Sequence, residues 1–145
     1  KSKLARYPFH CHVAGDVTGQ YIRNSSIWKT FNRCVTVHGT NMATVSGNIC
    51  YNHLGHGYFL EDGIEHGNTI TNNLGILAVT PVSGQQVLAS DLRPATFWIT
   101  NPDNTYTGDG AAGSNGVGFW IARPLHPPGL STNTASRQRR TAAQD

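Results

Sequence analysis

One six-residue pattern occurs twice near the middle of the chain, as GNICYN at residues 47–52 and as GNTITN at residues 67–72. The copies start 20 residues apart, and a looser relative, RNSSIW, starts at Arg23, 24 residues before the first copy. A period of this length is typical of stacked-coil architectures. Each unit is rich in β-branched residues, Asn and Gly, and is too short to bury an apolar face alone. The pattern predicts an all-β solenoid, a parallel β-helix with coils of about 20–26 residues.

Three strand-like segments align with one another: FHCH at residues 9–12, VTVH at 35–38 and YFLE at 58–61. Side chains two positions apart in a strand share a face. The first and third residues of each segment are apolar or Cys, and we expect them to form an inward column. The second and fourth residues then point outward.

The fourth residues of these segments, His12, His38 and Glu61, are predicted to form one outward column, with spacings of 26 and 23 residues. Neighbouring strands lie ~4.8 Å apart, so these side chains are close enough to act together. We therefore predict an outward groove made of His10, His12, Asp16, His38 and Glu61.

The composition fits one domain of 145 residues, with 13% charged residues and 16 glycines. These values disagree with a helical bundle and with a charge-rich disordered chain. We expect the β-helix over residues 1–130 and a disordered or out-of-frame tail over 131–145, where no aliphatic residue is larger than Ala. Because the chain starts almost inside a strand, we also expect a fragment with open coil ends.

Charge and hydropathy exclude two kinds of partner. The net charge of +3 is carried mostly near the chain ends, and no basic face with interleaved aromatics indicates nucleic acid. No apolar run approaches the ~20 residues that span a bilayer, so we expect no membrane contact by this segment. The cysteines, Cys11, Cys34 and Cys50, are either buried thiols or include one disulfide between adjacent coils. We also predict amide ladders of Asn48 over Asn68 and Asn52 over Asn72.

Five strings, in this order, carry a family resemblance: YPFHCHVAGD, NRCVTVHGT, YNHLGHGYFLEDGIEHGNT, PATFWITNPDN and AAGSNGVGFW. From about Tyr7 to Leu130 the chain resembles the β-helix region of the cell-migration-inducing hyaluronan-binding, transmembrane cell-surface hyaluronidase and fibrocystin-like family. The resemblance implies a right-handed parallel β-helix in a large extracellular or cell-surface protein, often with a G8 domain. It implies polysaccharide as partner, with hyaluronan binding or depolymerisation in some members. Fibrocystin-like members imply the alternative, a non-catalytic adhesion or receptor scaffold.

A hyaluronidase-like glycoside hydrolase needs two carboxyl groups, ~5 Å apart in retaining enzymes and ~6.5–9.5 Å apart in inverting ones. Asp16 and Glu61 meet the longer spacing if Asp16 curls back onto the outward face. Glu61 and Asp62 are adjacent, so in a regular strand they point to opposite sides and are not the pair. The catalytic candidates are therefore Glu61 and Asp16, with His12 and His38 in the same groove.

Other residues are candidates for binding. His10 lies on the groove, and Arg33 supplies a cation for a polysaccharide or for an elimination reaction. Trp98 and Trp120, about one coil apart, are either a sugar-stacking platform or an internal aromatic ladder. The pattern requires no cofactor, although His12, His38 and Glu61 resemble a facial triad for a divalent metal.

Overall fold

The computed structural model describes residues 7–125 and 127–133. These residues form thirteen β-strands, two 3₁₀-helices (Ala89–Leu92 and Gly129–Asn133) and no α-helix. Nowhere in this part of the chain is a helix long and apolar enough to cross a bilayer. The strands are β1 (Phe9–Asp16), β2 (Tyr21–Arg23), β3 (Ser26–Trp28), β4 (Val35–Asn41), β5 (Thr44–Ser46), β6 (Ile49–Leu54), β7 (Tyr58–Leu60), β8 (Thr69–Thr71), β9 (Leu74–Val79), β10 (Ala95–Ile99), β11 (Thr105–Thr107), β12 (Gly110–Ala112) and β13 (Val117–Ile121).

The strands form three parallel sheets that the chain visits in turn. The first sheet has the order β1-β4-β7-β10-β13, the second β11-β8-β5-β2 and the third β12-β9-β6-β3. Each strand pairs with the strand three elements later, so every three strands complete one coil and the solenoid has about five turns. The predicted all-β parallel β-helix is confirmed.

Coil length is nearly constant except at one insertion. Hydrogen-bonded partners in adjacent coils are separated by 26, 23 and 25 residues in the first coils. The separation rises to 36 residues between Asn68 and Asn104. The extra residues lie between β9 and β10, where the chain makes turns and the 3₁₀-helix Ala89–Leu92. The chain therefore leaves the repeating coil after β9 and returns to it at β10.

The inner face of the first sheet is an apolar column in the predicted register. Val35 pairs with Tyr58, Tyr58 with Phe97, and Phe97 with Phe119. The rings of Tyr58 and Phe97 stack at 4.7 Å, as do those of Phe97 and Phe119. Phe97 is fully buried, whereas Phe119 is 49% exposed and Phe9, at the other end of the column, is 36% exposed. Burial is therefore complete only where a coil has neighbours on both sides.

Amide ladders run along the corners between sheets. Asn48 Nδ2 donates to Asn73 Oδ1 at 3.0 Å, and Asn73 Nδ2 donates to Asp109 Oδ1 at 3.0 Å. In a second ladder, Asn68 Nδ2 donates to Asn104 Oδ1 at 2.9 Å. Each amide oxygen also accepts a backbone N–H, so the ladders satisfy polar groups that the corners bury.

The predicted stacks of Asn48 over Asn68 and Asn52 over Asn72 are wrong. The first copy of the repeated motif leads into β6 of the third sheet, and the second copy leads into β8 of the second sheet. The motifs look alike because both corners need the same chemistry. The glycines that open them have φ of 65° and 63°, a region that glycine enters without a Cβ penalty, and each is followed by a ladder Asn.

A buried polar layer attaches the insertion to the outer face of the first sheet. The Arg33 guanidinium lies 4.1 Å from the centre of the Phe59 ring and pairs with the Asp91 carboxylate, which also accepts the Leu88 N–H at 2.8 Å. Arg33 and Asp91 are almost completely buried. Burial raises the pKa of Asp91, but the Arg33 charge and the hydrogen bonds outweigh it, so the net shift is downward. Asp91 is therefore an ionised anchor for the insertion.

Two fully buried histidines lie beside this layer. His56 Nδ1 accepts the Ala95 N–H at 3.0 Å, so the proton of the neutral ring is on Nε2, 3.0 Å from Ser90 Oγ. His53 Nδ1 lies 3.1 Å from the Gly55 carbonyl oxygen. Burial lowers the pKa of His53 to about 4 and that of His56 to about 3, with Arg33 contributing to both shifts. Both rings are neutral in the folded state at pH 7.

Cys34 and Cys50 form a disulfide, and both are fully buried. Their separation of 16 residues is shorter than one coil, so the bridge crosses a single coil rather than joining adjacent coils. Cys11 is free and half-buried. One disulfide is therefore present, as in the second alternative, but the bond lies within one coil and does not join adjacent coils.

We predict that replacing Cys34 and Cys50 together with Ala lowers the free energy of unfolding by about 2–4 kcal/mol. The reason is that the unfolded chain loses a covalent constraint. Urea unfolding without reductant measures the change. Cys11→Ala is the matched control, because Cys11 has no covalent partner, and a double variant as stable as this control would contradict the prediction.

We also predict that stability falls as pH drops from about 6.5 to 4. Folding depresses the pKa of His53 and His56, so the unfolded chain takes up protons first and the folded state loses up to ~1.4 kcal/mol per pH unit for each histidine. Urea midpoints across this range test it. A His53→Gln/His56→Gln variant should flatten the slope, and His66→Gln, at an exposed side chain, should leave it unchanged. An equal slope in all three proteins would refute the assignment.

Candidate functional site

The structure places the three predicted column residues on the outer face of the first sheet. The β1–β4 register puts His12 directly opposite His38, with 3.1 Å between their Nδ1 atoms. Glu61 follows β7, and its N–H donates to the Val37 carbonyl, which keeps it beside β4. Glu61 Oε2 lies 3.4 Å from His38 Nδ1. His38 is therefore the centre of the column.

His10 joins this group from the same face of β1. Its ring centroid is 4.9 Å from that of His12, and it stacks on His38 at 6.1 Å. Potential ligand nitrogens of the three rings all lie within 4.8 Å of one another. His12 is exposed, His10 is half-buried and His38 is buried, so the three-histidine cluster opens to solvent on the His12 side.

Both carboxylates that follow β7 turn toward His38. The prediction that Glu61 and Asp62 point to opposite sides is wrong, because β7 ends at Leu60 and strand alternation stops there. Asp62 Oδ2 lies 2.8 Å from His38 Nε2. A carboxylate only accepts, so this contact places the proton of the neutral imidazole on Nε2 and leaves the Nδ1 lone pair facing His12 and Glu61.

A third carboxylate, Glu65, holds this corner in place from beneath. Glu65 is fully buried, and its Oε1 accepts the N–H groups of Gly39, at 2.9 Å, and Asp62, at 3.1 Å. Its Oε2 accepts the Gly63 N–H at 2.8 Å. Glu65 thus ties the end of β4 to the turn that carries Asp62. Sequence reasoning missed both Asp62 and Glu65 as site residues, and the available signal was their position in the turn segment that follows β7.

Glu61 has the electrostatics of a proton donor. Burial raises the pKa of its carboxyl group, His38 opposes the shift and Asp62 adds to it. Oε2 is buried without a hydrogen-bond partner, while the side chain as a whole is 16% exposed. A carboxyl group whose pKa is raised by its surroundings is suited to general-acid catalysis at a glycosidic bond.

Two predicted site residues are not in this cluster. Asp16 lies beyond a bulge in β1, opposite Asn41, and its Oδ1 accepts the Thr18 N–H and hydroxyl at 2.9 and 2.6 Å. These bonds lower its pKa and turn the carboxylate toward its own loop rather than toward Glu61. Arg33 is completely buried in its ion pair with Asp91, so its guanidinium does not reach a surface where a polysaccharide would lie.

The two predicted stacking residues belong to an aromatic ladder. Trp98 packs 4.2 Å from His56 and 5.2 Å from Trp120, and both tryptophans are half-buried. More exposed aromatics lie on the third sheet, where Trp28 pairs with Tyr51. They are 62% and 42% exposed, and Lys29 Nζ is 5.1 Å from the Trp28 ring. The sequence held a signal for both rings. Each aromatic residue adjoins a buried residue in a short strand, and neighbouring side chains of a strand point to opposite faces.

Metal ligation is possible at two groups that share His38: one adds His10 and His12, and the other adds Glu61 and Asp62. The predicted set of His12, His38 and Glu61 therefore divides between them, since Glu61 groups with its neighbour Asp62. A third group in the described part of the chain contains Cys34 and Cys50, whose sulfur atoms are already bonded to each other.

The chain matches the family model described as CEMIP beta-helix over residues 1–144. It is 40% identical to human Fibrocystin-L over 139 residues, which is 95% of the chain and 3% of that protein. It is 34% identical to human Cell surface hyaluronidase CEMIP2 and 36% identical to mouse Cell migration-inducing and hyaluronan-binding protein. Those alignments cover 91% and 92% of the chain but only 12% of either relative. The chain therefore belongs to the CEMIP β-helix family.

Proposed function

We propose that this β-helix is a polysaccharide-binding module of an extracellular or cell-surface protein, with hyaluronan as ligand. The names of two relatives, a cell surface hyaluronidase and a hyaluronan-binding protein, support this choice of ligand. The Cys34–Cys50 disulfide supports the location, because such bonds persist in oxidising compartments. The binding surface is the open side of the histidine cluster, where His10 and His12 offer ring nitrogens to a polymer that carries carboxylates and hydroxyls.

The catalytic form of this proposal assigns one of the two carboxyl roles, that of the general acid, to Glu61. Its raised pKa and partial exposure suit a general acid that delivers a proton to the glycosidic oxygen. Asp62 lies close to it but is buried and bonded to His38, so Asp62 is a positioning residue. Asp16 is not part of the proposed machinery, because Thr18 occupies its carboxylate.

We predict that Glu61→Gln in the intact protein lowers the rate of hyaluronan depolymerisation by at least about 100-fold, the lower range for general-acid catalysis. Binding of hyaluronan should change by less than about threefold, because the amide keeps the shape. Viscometry and a binding assay on immobilised hyaluronan provide the two readouts. Asp16→Asn is the matched control and should alter neither. Undiminished depolymerisation by Glu61→Gln would overturn the catalytic form.

A second candidate function is a non-catalytic adhesion scaffold. The observation that favours it is the identity to Fibrocystin-L, 40% against 34% for Cell surface hyaluronidase CEMIP2. A scaffold needs a contact surface but no proton donor, and the exposed Trp28–Tyr51 pair with Lys29 provides one for a sugar polymer. Binding of hyaluronan by the intact protein without any shortening of the polymer would select this function over the catalytic form of the first proposal.

We predict that Trp28→Ala/Tyr51→Ala weakens hyaluronan binding by roughly fivefold, equivalent to about 1 kcal/mol of lost ring contact. The fold should be unaffected, because both rings point outward and the inward residues of β3 and β6 are retained. Phe31→Ala, at a side chain that is 82% exposed, is the control for simple loss of an aromatic. Unchanged affinity in the double variant would show that this surface is not used.

A further inference from the structure

We propose that His10, His12 and His38 form a binding site for a divalent transition metal of the Zn²⁺ class. This inference does not rest on hyaluronan as the ligand. Two of the residues are a His-x-His pair on one face of β1, and the third is directly opposite on β4. Sheet geometry alone therefore aims three imidazoles at one point above the sheet.

The distances fit a metal centre. Potential ligand nitrogens of the three rings lie within 4.8 Å of one another, and the Nδ1 atoms of His12 and His38 are 3.1 Å apart. Zinc binds imidazole nitrogen at ~2.0–2.1 Å, so two nitrogens on a tetrahedral ion lie about 3.4 Å apart. Small side-chain rotations would complete the site. Three histidines with a fourth position open to solvent form a known type of catalytic zinc site.

The surroundings supply the support that metal-binding histidines require. A ligating histidine usually donates its other N–H to a carboxylate, which fixes the tautomer and increases the basicity of the ligand. Asp62 makes this contact with His38 Nε2, and buried Glu65 holds the Asp62 backbone. Imidazole nitrogen also selects Zn²⁺, Cu²⁺ or Ni²⁺ over Mg²⁺ and Ca²⁺, which prefer oxygen ligands.

The second possible group, His38 with Glu61 and Asp62, is less suited to an ion. Asp62 faces Nε2 of His38 and Glu61 faces Nδ1, so the two carboxylates approach opposite nitrogens of one ring. An ion on Nδ1 would be distant from the Asp62 oxygen that binds Nε2, and an ion on Nε2 would break that bond. An ion bound by the three histidines would leave the bond between Asp62 and His38 Nε2 intact.

The experiment measures Zn²⁺ by isothermal titration and Co²⁺ by its visible absorption, in the intact protein after chelator treatment and without hyaluronan. Wild type should bind one more ion per chain than His10→Ala/His12→Ala, and the absorption of bound Co²⁺ should indicate nitrogen ligands. His66→Ala, an exposed histidine outside the cluster, is the matched control and should bind as wild type. Asp62→Asn should weaken Zn²⁺ binding by about 10–100-fold, because the supporting carboxylate is lost.

Equal metal content in wild type and the double variant would overturn the proposal, as would a wild type that binds no ion. Circular dichroism and urea unfolding confirm that each variant is folded. If the double variant does not fold, His12→Gln replaces it, because the exposed His12 side chain tolerates a polar substitute, and it should lose at least about tenfold in Zn²⁺ affinity. Because no hyaluronan is present, failure of the metal site and failure of the polysaccharide proposal are separate results.

Discussion

The parallel register between coils is the constraint on which the rest of this structure depends. Each inward side chain of the first sheet lies over its equivalent in the next coil, and the stacked rings of Tyr58, Phe97 and Phe119 express this most clearly. A slip of one residue would turn this column outward and bury the polar face, so the register is strongly determined. The same register aligns His12 with His38 on the opposite face. The same register therefore determines core packing on the inner face of the sheet and the alignment of the candidate site on its outer face.

Buried carboxylates hold two places where the coil departs from regularity. Asp91 fastens the inserted segment through Arg33 and backbone N–H groups, and Glu65 fastens the corner after β7 through three backbone N–H groups. A buried charge is tolerated only with such partners, because the interior offers no water. The Glu65 contacts hold the Glu61–Asp62 corner against His38. The site thus depends on polar groups that no polysaccharide would touch.

Much of the fold and part of the site were predictable from local pattern. Two-residue alternation assigned Val35 and Tyr58 to the inside and His12 and His38 to the outside, because that period is a property of any strand. The pattern failed where a strand stopped. The role of Asp62 was missed since β7 ends one residue before Glu61. The Asn ladders were mispaired because different corners of the coil use the same turn residues. Two similar sequence motifs therefore need not lie at the same corner of the coil.

The sequence by itself determined the class of fold, the inward and outward faces, and the alignment of histidines in one column, because strand periodicity and coil length are local quantities. Tertiary structure alone decided which carboxylates reach His38, which cysteines pair, and that Arg33 is an internal anchor. Its partner, Asp91, is 58 residues away in an insertion without a repeat. Long-range pairing of this kind depends on where the chain returns in space, and no local period encodes that position.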